Sequence, residues 1–177
     1  LKFIEKDNPQ WDDLYKNING LISQKATSKL SEWYSKYYDL EDKEFECIKS
    51  IADLENKKIL DIGCGTGRIT QKLIKRSNSV IAIDNNEECI KFCKEHFKQP
   101  AFLHLDIRDL NSLIKQGIKC DLIISGWAGL HYFDDIDLQN ILKNFQLLLN
   151  KKGKLIIIEV YYNTDYVKIL DLMVNAK

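Results

Sequence analysis

Ile59-Leu60-Asp61-Ile62-Gly63-Cys64-Gly65-Thr66-Gly67-Arg68 places three alternating glycines directly behind a short apolar run. The apolar residues Ile59–Ile62 suit a buried strand. Glycine then supplies backbone angles closed to other residues and lets a ligand approach the main chain. A helix is expected to open near Thr66, with unpaired amino-terminal N–H groups facing whatever the turn holds. Strand, glycine turn and helix together read as a ligand-binding corner.

Outward from this corner the chain alternates between short apolar runs and amphipathic segments. The runs are Lys58–Ile62, Val80–Ile83, Ala101–Leu105, Leu122–Ser125 and Lys154–Val160. Helical spacing recurs between them, in Ile69, Leu73 and Ile74, and then in Ile90, Cys93 and Phe97. Its clearest instance is Ile136, Ile141, Leu142, Phe145, Leu148 and Leu149, closed by Asn150 and Gly153. Strands alternating with helices imply an α/β fold: a doubly wound, mainly parallel sheet with helices on both faces, in strand order 3-2-1-4-5. Residues 1–56 read as an amino-terminal helical extension, a cap or lid region. Trp11, Leu14, Tyr15 and Ile18 share one helix face in it, and Phe45, Ile48, Ile51 and Ala52 another. Residues 57–177 form the core, and one more helix is expected around Asp165 to Val174.

The ends of the later strands carry acids. The second run closes on Asp84, about 20 residues beyond the turn. The third leads into Asp106, and the fourth ends at Ser125 before Gly126-Trp127-Ala128-Gly129-Leu130-His131-Tyr132. Capping the helix that follows is the alternative role for either aspartate. A dinucleotide turn, G-x-G-x-x-G, would need its third glycine where Arg68 stands. With Asp61 two residues before the first glycine, D-x-G-C-G-T-G resembles the signature of class I, Rossmann-like S-adenosylmethionine-dependent methyltransferases. The resemblance spans residues 57 to 160 in order, including Lys151-Lys152-Gly153 before the fifth strand.

The resemblance implies S-adenosylmethionine as cofactor and S-adenosylhomocysteine as product, with Gly63, Cys64 and Gly65 against the methionine part. Asp61 would orient that part directly or through water. Asp84 would bind the ribose, with Asn85 near the adenine edge, and Asp106 with the Ile107 backbone would read the adenine. The Ser125 carbonyl and Trp127 would sit near the reacting methyl. Arg68 reads as a surface or salt-bridged residue.

Methyl transfer needs in-line positioning of the acceptor, at about 3–3.5 Å, more than covalent help. A base matters only if the acceptor must lose a proton. Of the three histidines, His96 falls in a helix and His104 in a strand. His131, in a loop at the ligand-binding edge, is therefore the general-base candidate. Among the aromatics Tyr34, Tyr37 and Tyr38, Tyr38 is the candidate for reaching the acceptor.

Lysine plus arginine equals aspartate plus glutamate at 26 each, so the chain lacks the basic excess that captures nucleic acid. No Asn-Pro-Pro-Tyr or Pro-Cys motif of nucleobase methylation is present. A small-molecule or peptide acceptor remains, at O, N or C. The five cysteines form no C-x-x-C pair, so neither a disulfide framework nor a metal site is suggested, and Cys89 and Cys93 read as small buried apolar groups. The chain has no long apolar span or signal segment and is expected to be cytoplasmic.

Two features depart from the family pattern. The chain begins at Leu1 without an initiator methionine, as a fragment or trimmed product would. It also leaves no room for the usual carboxy-terminal antiparallel hairpin. The fifth strand would then be a bare edge, pointing to a truncated chain, or to a homodimer or partner subunit covering that edge. The alternative to an active enzyme is a non-catalytic S-adenosylmethionine-binding subunit of a hetero-oligomeric methyltransferase. Aminopropyl transfer on the same fold lacks its acidic polyamine motifs.

Overall fold

The computed structural model describes residues 40–99, 101–126, 130, 133–158 and 169–170. In chain order these form α1 (Leu40–Ile51), β1 (Lys58–Ile62), α2 (Thr70–Leu73), β2 (Ser79–Asp84), α3 (Glu87–His96) and β3 (Ala101–His104). A 3₁₀ turn (Ile107–Asp109), α4 (Asn111–Lys115), β4 (Cys120–Ser125), α5 (Asp135–Leu148), β5 (Leu149–Ile158) and β6 (Ile169–Leu170) follow. The strands make one sheet in the order β3-β2-β1-β4-β5-β6. The first five are parallel, in the expected 3-2-1-4-5 arrangement, and β6 is antiparallel to β5.

Alternation along each strand sorts the side chains to the two faces. Leu60 and Ile62 of β1, Ile123 of β4 and Leu155 and Ile157 of β5 pack against Ile141, Phe145 and Leu148 of α5. Ile59, Leu122, Ile124 and Ile156 meet Phe45 and Ile48 of α1 and Leu73 of α2 on the other face. A third group, Cys64, Ala82, Ile90, Cys93 and Phe102, joins α3 to β2 and β3. Asn86 and Asp134 cap α3 and α5, each accepting two backbone N–H groups, which fixes where those helices start.

Three sequence expectations are corrected. The helix after the glycine turn opens at Thr70, not near Thr66, because Gly63, Gly65 and Gly67 all have positive φ (67°, 52° and 84°) and the turn runs on past them. The fifth strand starts at Leu149 and takes in Lys151-Lys152-Gly153 through a register shift against Cys120 and Leu122. A Cβ at Gly153 would lie 2.9 Å from Leu149 Cδ2 and 3.0 Å from the Cys120 carbonyl, so this irregular pairing requires glycine. Finally, Ile169–Leu170 is a strand where a helix was expected. It pairs with Ile158 and Ile157, so the edge of β5 is covered there by the chain itself.

Candidate cofactor site

The strands end at a common rim. Ile62 is in register with Ile83 and Ser125, Ser125 with Ile157, and Asp84 with His104. Crossovers leave β1 and β4 in opposite directions, so a crevice opens between their carboxyl ends, the usual ligand position in such sheets. Asp61, Gly63, Cys64, Gly65, Asp84, Asn85, Asp106, Ile107 and Ser125 all fall on this rim. Trp127, His131 and Tyr38 lie outside the described residues.

The glycine turn is tied to β2. The Cys64 N–H donates to the Ile83 carbonyl at 3.0 Å. The Gly65 N–H donates to Asp84 Oδ2 at 2.7 Å, while Asp84 Oδ1 accepts from the Asn86 N–H at 2.8 Å. The capping role considered for Asp84 belongs instead to Asn86. His104 Nε2 lies 3.0 Å from the Asn85 carbonyl, which can only accept, so this nitrogen carries the proton and fixes the Asn85 backbone.

The three glycines of the turn differ in surroundings. Built Cβ atoms at Gly63 and Gly65 meet nothing within 4 Å, whereas one at Gly67 lies 2.9 Å from Phe97 Cε2 and 3.3 Å from Cys93 Sγ. The first two therefore border open space at the rim, a cradle that suits close approach of a ligand to the backbone. Gly67 is where α3 packs on the turn. Cys93 Sγ also donates to the Gly65 carbonyl at 3.3 Å. Burial pushes the Cys89 thiol up to about 12, and the Cys64 thiol, beside Cys93 and buried, far higher. These thiols stay protonated and serve as packing groups.

Asp61 faces the α1 side of the sheet, as alternation requires for the neighbour of Leu60. It is buried and accepts from the Thr70 hydroxyl at 2.5 Å. Desolvation raises its carboxyl to about 7, against the opposing pull of Thr70 and Arg68. The folded state thus holds this proton more tightly than the unfolded chain does. The associated stability is fully present below about pH 4 and is lost as pH rises through about 7. Thermal melts of the ligand-free protein should show this decline, and Asp61→Asn should flatten it. A variant with an unchanged slope would assign the decline to other groups.

Asp106 is held differently. It caps the 3₁₀ turn through the Arg108 N–H, and its two oxygens accept from Arg108 Nε and Nη2 at 3.0 and 2.7 Å. This pairing keeps its carboxyl below the ordinary range. The cap weighed for this aspartate is therefore present, and an adenine amino group would share the carboxylate with Arg108. Ser125 is fully buried, and its hydroxyl has no partner among the described residues.

Sequence reasoning missed Glu44. It sits one turn before Ile48 on the face of α1 that packs on the sheet. Its carboxylate forms an ion pair with Arg68, the two side chains being 9% and 16% exposed. An acid four residues ahead of a buried isoleucine was the available signal.

The profile of the methyltransferase domain family matches residues 59–153, more than half of the chain. The chain belongs to this family, the class I methyltransferases built to use S-adenosylmethionine. Phosphoethanolamine N-methyltransferase 1 of Zea mays is 30% identical over 111 residues, 61% of this chain and 22% of the relative. A ubiquinone biosynthesis O-methyltransferase of Coxiella burnetii is 29% identical over 109 residues, 61% of this chain and 45% of the relative. The chain thus spans less than half the length of either.

An S-adenosylmethionine-dependent methyltransferase from Clostridium acetobutylicum superposes with a TM-score of 0.60 at 25% identity, covering 73% of this chain and 56% of the other. Magnesium protoporphyrin IX methyltransferase from Synechocystis, solved with the cofactor bound, shares the fold at 18% identity. Its TM-score is 0.56, with coverage of 74% and 70%. Among the described residues no helix is long and apolar enough to cross a membrane, and no cluster of side chains is placed to hold a metal ion.

Proposed function

We propose that this chain catalyses methyl transfer from S-adenosylmethionine to a small-molecule or peptide acceptor, through the rim between β1 and β4. The observation that carries this reading is the open space over Gly63 and Gly65, flanked by the Asp84 carboxylate that already grips the turn. The methionine part would lie against Gly63, Cys64 and Gly65, with Asp61 orienting it. Asp84 would take the ribose hydroxyls and, to do so, share the oxygen now bonded to Gly65 N–H. Asn85 would border the adenine, and Asp106 with the Ile107 backbone would read its edge. The Ser125 carbonyl and Trp127 would face the reacting methyl.

When bound, the cofactor supplies an electrophilic methyl on a sulfonium. The protein's part is to exclude water and hold the acceptor in line. Where the acceptor is a hydroxyl or a protonated amine, His131 is the proposed base, and Tyr38 the proposed aromatic contact from the amino-terminal region. A small acceptor is supported by the names of the relatives, which include a phosphoethanolamine N-methyltransferase and a ubiquinone biosynthesis O-methyltransferase. The balanced charge of the chain offers no general attraction to nucleic acid.

The test is formation of S-adenosylhomocysteine from S-adenosylmethionine by the purified chain, supplied with separate pools of small amines, phenols and catechols, and short peptides. Turnover dependent on one pool is expected. Binding of the cofactor with no product in any pool would overturn the catalytic reading while leaving the binding site intact.

A further inference from the structure

At the rim, the buried Asp61 is satisfied by Thr70 and the half-buried Asp84 by two backbone N–H groups. The Glu44 carboxylate is only half so. One oxygen pairs with Arg68, while Oε1 is buried with no hydrogen-bond partner among the described residues. Leaving a carboxylate oxygen dry and unpaired is costly, so its retention calls for a partner that arrives later. Its position indicates where. Oε1 lies 3.3 Å from the point that a Cβ on Gly126 would occupy, and Gly126 is the first residue beyond the carboxyl end of β4. Glu44 therefore reaches from α1 across the sheet face to the mouth of the crevice, on the same face as Asp61.

The charges nearby favour a cationic partner. The carboxylates of Glu44 and Asp84 both act on Asp61 through space, and Arg68 is the cation that opposes them there. A neutral ligand would leave Oε1 without a strong donor, and an anion would be repelled. An ammonium group has three donors and the right sign.

We propose that Glu44 is a specificity residue, whose free oxygen accepts from the α-ammonium of the cofactor's methionine moiety while Arg68 holds the carboxylate in place. This rests on the cofactor-site reading above and adds to it a residue from outside the glycine-turn signature. Gly126 has a matching purpose, since any side chain there would press on the same oxygen. α1 is thereby more than a packing helix, because it completes the cofactor's amino-acid subsite.

The experiment compares S-adenosylhomocysteine with its des-amino analogue, in which hydrogen replaces the ammonium, on the wild-type chain and on Glu44→Gln. Thermal melts of each protein accompany the calorimetric titrations. Wild type is expected to prefer the natural ligand by about ten- to a hundredfold, and Glu44→Gln to reduce that preference by about tenfold. The des-amino analogue itself should bind both proteins similarly, which a merely structural defect would not produce.

An unchanged preference in Glu44→Gln overturns the proposal, as does a wild-type protein that does not discriminate between the ligands. Should Glu44→Gln fail to fold, Glu44→Asp takes its place in the same comparison. It keeps the charge but withdraws it by one methylene, and the same reduction is expected. Absence of binding of either ligand to folded wild-type protein would instead sink the cofactor-site reading.

Discussion

Asp84→Ala is expected to weaken S-adenosylmethionine binding by about a hundredfold or more, while the protein still folds. This one carboxylate acts at two levels. It tethers the glycine turn through Gly65 N–H and shapes its own loop by accepting from the Asn86 N–H. In the proposed complex it also accepts from the ribose, where hydrogen bonds to a charged group are worth about 1.5–3 kcal/mol each. Stability should fall less, because Asp84 lies at the partly exposed rim and the hydrophobic groups beneath it are untouched. Equilibrium dialysis against labelled cofactor, beside a thermal melt, separates the two effects. A variant that binds like wild type would remove Asp84 from the site.

Gly67→Ala has the opposite signature. A positive φ of 84° costs an L-residue about 1–2 kcal/mol, and the new methyl would sit 2.9 Å from the ring of Phe97. Overpacking of this kind adds about 1–3 kcal/mol, so the total loss in unfolding free energy should be about 2–5 kcal/mol. Denaturant titration measures it directly. Gly63→Ala and Gly65→Ala meet no such clash, so their stability loss should stop at the backbone strain while cofactor binding suffers. If all three variants lost stability equally, the division of the turn into a ligand side and a packing side would be wrong.

Much of this was legible in the sequence because it is written in local pattern. Five apolar runs at strand length gave the parallel sheet and its order. Asp61, the alternating glycines and the acids closing the second and third strands marked the rim without any knowledge of packing. What escaped depends on contacts between distant segments. Glu44 looks like one more charged residue on a helix until α1 is laid on the sheet and Arg68 comes within reach.

The late start of the helix at Thr70 follows from the three positive φ angles, which spacing alone does not reveal. The strand at Ile169–Leu170 likewise depends on the free edge of β5, since two apolar residues carry no periodicity of their own. The distinction between Gly67 and its two neighbours also needed the neighbour, Phe97, to be placed.

The charge state of Asp61 is a further case. An aspartate before a glycine turn reads as an ionised acid, but enclosure under α1 and α2 raises its carboxyl to about 7. A cation brought beside it would favour the charged form again, so cofactor binding near neutral pH should release a proton.

Whether the crevice between β1 and β4 binds S-adenosylmethionine is tested most directly by calorimetric titration of the purified chain with that ligand and with S-adenosylhomocysteine. Saturable binding of both at one site per chain is the expected result. Protein that melts cooperatively yet gives no binding heat, and no shift in melting temperature with either ligand, would contradict it.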